Sequence, residues 1–195
     1  DLGNVLIGFD HRIAVKRILK YTDKTVDDIY NLFFDSEFTQ SFERGKISQQ
    51  DFFAKVKSAL NLSIGYNRFL PIWNEIFFAM KDSEKLIGSI DRRLRKVLLS
   101  NINQLHFEYV KTKFSFALSL FDEVLPSYLT GFTKPQRQIY DLAVRMTGKE
   151  LENIIYIDDR QDLVDAARGY GINSLRFKDA RQLREDLLAA GLNIR

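Results

Sequence analysis

Four places in the chain end a short apolar run or a loop in residues able to act on a phosphate ester. They are Asp1 with Gly3 and Asn4, Ser100 with Asn101, Lys134 before Pro135, and Asp158 with Asp159 after "IIYI". Together they read as a phosphoryl-transfer site. A carboxylate that attacks phosphorus needs a cation to offset its own charge and that of the phosphate, and Asp1 is the candidate nucleophile. Carboxylates at neighbouring strand ends bind Mg²⁺ through hard oxygen ligands and leave room for water and one phosphate oxygen. Asp158 and Asp159, with Asp1, are the candidate ligands. A hydroxyl from Ser100 and the ammonium of Lys134 would hold the remaining phosphate oxygens. Each residue alone has a plainer reading. An Asp near a terminus is usually solvated, adjacent acids after a strand often cap the next helix, Ser100 and Asn101 suit an N-cap and a turn, and Lys134 suits a loop. The case rests on their conjunction.

The elements that must position these groups differ between the two halves of the chain. "KVLLS" at 96–100, "NIIYI" at 153–157 and "INSLRF" at 172–177 are short apolar runs expected of buried strands. Amphipathic stretches near 104–117, 135–147, 162–170 and 179–190 alternate with them, so this half reads as a parallel βαβαβ unit. In such sheets ligands collect where strands end and helices begin. Residues 11–90 carry helical periodicity and much of the aromatic content. "TVDD" at 25–28 and "SQQD" at 48–51 resemble capping boxes, which predicts helices near 25–35 and 48–60. Pro71 is expected in the first turn of a helix running to Met80, and 82–94 reads as another helix. Trp73 and the phenylalanines at helical spacing are read as the core of this block.

Composition sets the outer limits. A chain of 195 residues, 45% of them apolar, suits one sizeable core with a smaller satellite. The net charge of +3 is spread along the length and marks no nucleic-acid stripe. The lack of cysteine rules out disulfides and thiolate chemistry and suits a reducing, cytoplasmic setting. No apolar run approaches the roughly 18 residues of a membrane span, and nothing at the start reads as a signal peptide.

These residues in this order resemble the haloacid dehalogenase-like hydrolase superfamily. Its four motifs correspond to "DLGNVL", "LLSN", the lysine of "GFTKP" and "IIYIDD". "DLGNVLIGFD", "FERGKIS" at 42–48, "LLSNIN" at 98–103 and "KPQRQIY" at 134–140 are most similar to the branch holding bacterial α-glucose-1-phosphate phosphatase. The resemblance implies an α/β fold: a Rossmann-like parallel sheet with helices on both faces, spanning 1–10 and 91–195, and an inserted helical cap of the C1 type over 11–90. It implies a phospho-aspartate on Asp1, a Gly3 backbone carbonyl on Mg²⁺, Asp159 as direct metal ligand, Asp158 as a second acid and Asp162 as a further candidate. Ser100 and Lys134 take the phosphate, with the Asn101 backbone N–H as an extra donor. The family also has an apolar strand before the nucleophile, so such a strand is expected upstream of Asp1.

Two departures stand out. Most phosphatases of the superfamily have a second Asp two residues after the nucleophile, where it protonates the leaving oxygen, but position 3 is glycine here, as in the glucose-1-phosphate branch. Asp10 and His11 are candidate substitutes. Thr133 stands where many relatives have arginine. Glu43 and Arg44 of "FERG" are placed over the site or at an exposed helix end, with Arg44 a candidate reader of a substrate hydroxyl or phosphate. His106 reads as structural. The leading function is a Mg²⁺-dependent phosphatase for a small phosphorylated metabolite such as a sugar phosphate. The alternatives are a metal-independent haloacid dehalogenase and a catalytically weak binding or regulatory protein of the same fold.

Overall fold

The computed structural model describes residues 1–34 and 37–194. The first strand, β1 (Ile7–Phe9), leads into five helices: α1 (His11–Ile18), α2 (Val26–Phe34), α3 (Glu37–Glu43), α4 (Gln49–Ala59) and α5 (Tyr66–Asn74). The chain returns on β2 (Phe77–Ala79), antiparallel to β1 with Ile7 opposite Ala79 and Phe9 opposite Phe77. Then follow α6 (Lys81–Ser89), β3 (Val97–Ser100), α7 (Gln104–Lys113), α8 (Ser115–Leu118), β4 (Glu123–Pro126), α9 (Ser127–Thr130) and α10 (Arg137–Thr147). The chain ends with β5 (Ile155–Asp158), α11 (Gln161–Gly169), β6 (Asn173–Arg176) and α12 (Ala180–Ala189).

The Thr25 capping box forms in full, and at Ser48 the hydroxyl cap forms while Asp51 Oδ2 accepts from the Ser48 hydroxyl at 2.6 Å. Thr25 Oγ1 accepts from Asp28 N at 3.2 Å while Asp28 Oδ2 accepts from Thr25 N at 2.9 Å. Ser48 Oγ accepts from Asp51 N at 3.1 Å, satisfying one orphan donor of α4. Position 35, the expected end of the α2 helix, lies outside the described residues. Pro71 sits inside α5 rather than in its first turn, and the helix stops at Asn74 instead of Met80. A proline here removes one ladder hydrogen bond, so little helix follows it, and residues 77–79 are taken by the pairing with β1.

The described residues form three hydrophobic clusters, the third being Leu99, Ile139, Tyr140, Tyr156, Ala167 and Ile172. Val15, Ile29, Phe42, Phe52, Phe69 and Trp73 belong to the first. Within it Phe42 stacks on Phe52 at 4.1 Å and Phe52 meets Trp73 at 5.0 Å, so the aromatic block is a packed core. The second joins Leu2, Leu6, Leu86, Ile87, Leu98 and Leu187. Helix α6 packs against α12 and the strands through Leu86 and Ile87, with Ile90 following at its end.

The four parallel strands pair as β3 with β4 and β5 with β6. Strand β4 escapes detection in the sequence because it is short, only partly buried and ends in proline. The two pairs do not join into one ladder. They face each other across an apolar cavity of about 320 Å³ lined by Val97 and Leu99 on one side and Ile155 and Ile157 on the other. The backbone nitrogen of Asp1 donates to the Ile157 carbonyl at 2.8 Å, fastening the Asp1 loop to β5. Among the described residues no helix is long and apolar enough to cross a membrane.

Candidate active site

The segment after Asp1 is a tight loop, and its backbone bonds follow from the sequence "LGNVL". Leu6 N and Ile7 N both donate to Leu2 O, at 2.9 and 3.0 Å, and Asn4 N donates to Ile7 O at 2.8 Å. Asn4 has φ +54°, a left-handed conformation that asparagine tolerates better than most residues. The loop, together with the Asp1–Ile157 bond, brings Asp1 to the end of β5. There Asp1, Asp158 and Asp159 each offer a carboxylate oxygen, all within 4.8 Å of one another.

Lys134 arrives from the loop before α10 and ties the cluster together. Its Nζ lies 2.7 Å from Asp1 Oδ1 and 2.7 Å from Asp158 Oδ2. The lysine is 4% exposed and Asp158 is fully buried. The Asn101 side chain holds the lysine backbone from both sides: Nδ2 donates to Lys134 O at 2.9 Å and Oδ1 accepts from Lys134 N at 2.7 Å. The Asn101 side-chain amide thus braces Lys134, a role apart from that expected of its backbone N–H.

Tyr156 was not singled out in the sequence. Its hydroxyl donates to Asp158 Oδ2, and its ring lies under the ammonium of Lys134, 5.8 Å from the centroid. Alternation carried the signal, since residues two apart in a strand share a face and 156 precedes 158 by two. Asp158 Oδ1 accepts from Arg160 N at 3.0 Å, so both oxygens of this buried carboxylate are bonded.

Electrostatics separate the two neighbouring acids. Burial pushes Asp158 up, while the Lys134 charge and the hydrogen bonds from Lys134 and Tyr156 pull it down, and the carboxyl lies below its ordinary range. Burial and then the adjacent Asp158 charge raise Asp159, against a hydrogen bond from Asn4. Burial draws the Lys134 ammonium below its usual value against the pull of Asp158, and burial likewise lifts the Tyr156 phenol far up.

The remaining expected residues fall in distinct places. Ser100 is buried at the end of β3, next to Asn101. Gly3 lies in the Asp1 loop. Arg44 follows α3, and its Nε is buried with no hydrogen-bond partner among the described residues. Asp162 is drawn away into an exposed ion pair with Arg160 at 2.6 Å. Asp10 caps α1 and is gripped by Arg12 at 2.9 Å, so it is not free to protonate a leaving group. Burial lowers His11 to about 4, and it packs 4.8 Å from Phe9. His106 is structural: Nε2 lies 3.0 Å from Trp73 O and so must donate, which leaves Nδ1 to accept from Asn103.

The donor set fits a hard divalent cation. Opposite ligands of an ion with bonds of about 2.1 Å sit about 4.2 Å apart, within the span of the three carboxylates. Three carboxylates against one ammonium leave two negative charges, which a divalent ion balances.

No protein-family model matches the chain. Three curated proteins are similar to it at 22% identity. Drimenol cyclase drtB of Aspergillus calidoustus aligns over 96% of this chain, which spans only 35% of that protein. Sesquiterpene phosphatase astK of Aspergillus oryzae aligns over 92% of the chain and 88% of its own length. D-ribitol-5-phosphate phosphatase of Bacteroides thetaiotaomicron aligns over 96% and 94%. Among solved structures, the HAD family enzyme bt-2542 of Bacteroides thetaiotaomicron superimposes with a TM-score of 0.83 at 20% identity, covering 92% of this chain and 91% of that one. A variant of it, in complex with magnesium and inorganic phosphate, gives 0.83 at 20% identity, covering 91% of each chain. The L-2-haloacid dehalogenase of Xanthobacter autotrophicus gives 0.62 at 16% identity, covering 95% and 79%.

Proposed function

We propose that this chain, which has the fold of the haloacid dehalogenase-like enzymes, is a Mg²⁺-dependent phosphatase that transfers the phosphoryl group of a small phosphorylated metabolite to Asp1 and then to water. The observation that carries this reading is the meeting of Asp1, Asp158 and Asp159 within 4.8 Å of one another, with the ammonium of Lys134 on Asp1 and Asp158. Support comes from relatives named as phosphatases and from a neighbour of the same fold crystallised with magnesium and inorganic phosphate. The fold alone is shared with haloacid dehalogenases. The excess of carboxylates favours a metal-dependent reaction on an anionic ester.

In this reading Asp1, Asp159, the Gly3 carbonyl and Asp158, directly or through water, would hold the ion. When bound, the ion would supply positive charge against the phosphate oxygens. The protein's own residues account for the rest. Lys134, at 2.7 Å from Asp1 Oδ1, would aim that carboxylate and offer charge to the phosphoryl oxygens as they approach. Ser100 would donate its hydroxyl to the phosphate, together with the Asn101 backbone N–H. Asp158, with both oxygens already bonded, anchors Lys134. The helices between β1 and β2 would serve as the cap that excludes water and selects the substrate. Arg44, its Nε without a hydrogen-bond partner among the described residues, is the proposed contact to a substrate oxygen.

The test is release of inorganic phosphate from a panel of sugar and polyol phosphates, with and without Mg²⁺, by wild type and Asp1→Asn. Turnover that needs both the metal and the carboxylate is expected. Turnover that survives Asp1→Asn, or chloride release from a haloacid without metal, would overturn the assignment.

A further inference from the structure

The general acid that position 3 lacks has a candidate elsewhere. Glu43, the last residue of α3, is clamped against the core beside the site. Ser127 Oγ at the start of α9 donates to Glu43 O at 2.6 Å, and the same hydroxyl accepts from Ile102 N at 3.0 Å, one residue beyond Asn101. One side chain therefore joins the Glu43 turn to the loop that braces Lys134. The turn lies close against α9: a Cβ at Gly45 would stand 2.1 Å from Tyr128 O. Glu43 is half-buried. Its desolvation lifts the carboxyl to about 7, against the charges of Arg160, Lys134 and Arg44, which face it from the loops before α11 and α10 and from its own turn.

We infer that Glu43 is the proton donor to the leaving-group oxygen, taking the role for which no side chain exists at position 3. This rests on the phosphatase reading. In the first step an Asp1 oxygen bonds to phosphorus as the ester O–P bond breaks, and the ester oxygen keeps the electron pair and takes the Glu43 proton, leaving as an alcohol. In the second, water attacks the phospho-aspartate, its proton passes to the Glu43 carboxylate, the Asp1–phosphorus bond breaks and phosphate departs. Both residues return to their starting states. The alternatives within reach are committed: Asp10 is held by Arg12, and His11, lowered to about 4, carries no spare proton at neutral pH.

The experiment compares wild type and Glu43→Gln on two substrates, an alkyl phosphate whose alkoxide must be protonated and p-nitrophenyl phosphate, whose phenolate leaves unaided. Glu43→Gln is expected to lower kcat/KM on the alkyl phosphate by about 10²–10⁴-fold, the usual worth of a general acid, with a much smaller loss on the aryl ester. A shorter acid, Glu43→Asp, is expected to show the same split at smaller size, and serves if the glutamine variant melts below the assay temperature. Equal losses on both esters, or none on either, would overturn the inference. A wild type that turns over neither would instead sink the phosphatase reading beneath it.

Discussion

The ring of Phe9 occupies the space that a side chain at position 3 would need: a Cβ built on Gly3 comes within 2.6 Å of Phe9 Cε1. The ring is itself held by His11 at 4.8 Å and Phe77 at 6.2 Å, so it cannot swing aside freely. Packing thus disfavours an aspartate at position 3, and in the proposed reaction the leaving-group proton would come from another element.

The Gly3–Phe9 contact is open to a double-mutant cycle. Gly3→Ala should destabilise by about 1–3 kcal/mol through overpacking. In the Phe9→Ala background the same change should cost at least about 0.5 kcal/mol less, because touching residues couple. Urea unfolding of the four proteins measures the coupling, and strict additivity would show that the ring does not confine position 3.

Lys134 separates carboxylates that would otherwise repel. Replacing it as Lys134→Met leaves buried Asp158 without its cation, at an expected cost of about 3–5 kcal/mol in metal-free buffer. Mg²⁺ should then raise the melting temperature of the variant more than that of wild type, since the ion takes over part of the screening. Thermal melts with EDTA and with Mg²⁺ check both halves; a variant as stable as wild type in EDTA would refute the role.

Tyr156 supports the ionised form of Asp158. Because the folded Asp158 lies below its ordinary value, its stabilising contribution is complete above the unfolded carboxyl pKa of about 3.9 and fades as pH falls through the lower folded value. Tyr156→Phe should therefore be less stable than wild type by about 1–3 kcal/mol near neutrality. The gap should close in strong acid. Urea melts in EDTA across that range decide it, and a gap independent of pH would point to ring packing alone.

The Asn101 brace predicts a loss of rate more than of binding. Asn101→Ala leaves the Lys134 N–H and carbonyl without the partners they have at 2.7 and 2.9 Å. A misplacement of about 1 Å at the ammonium can cost on the order of 10²-fold in rate. Steady-state kinetics should show kcat falling with KM little changed; a change confined to KM would argue against the positioning role.

Much of the molecule was legible before any coordinates. The capping boxes at Thr25 and Ser48 announce helices because a hydroxyl and an acid three residues on can satisfy only local backbone donors. The apolar runs ending at Ser100 and Asp158 announce strands, of which β3 is buried over its last three residues while β5 buries only alternate ones. Local patterns failed where a distant partner set the outcome. Residues 77–79 have no strand signature of their own and become β2 by pairing with β1. Helix α6 looks like any amphipathic helix until its stripe meets α12.

The same line runs through the site. The kinds of chemistry present, hard oxygen donors and an amine with no thiol among them, follow from residue types alone, because those are properties of single side chains. Which group touches which was settled only by folding. Asp1 and Asp158 share Lys134 across 157 positions of chain, Tyr156 adds its hydroxyl, and Phe9 closes the space beside Gly3. Contacts of that kind depend on how strands, loops and helices pack in three dimensions, and no local periodicity records them.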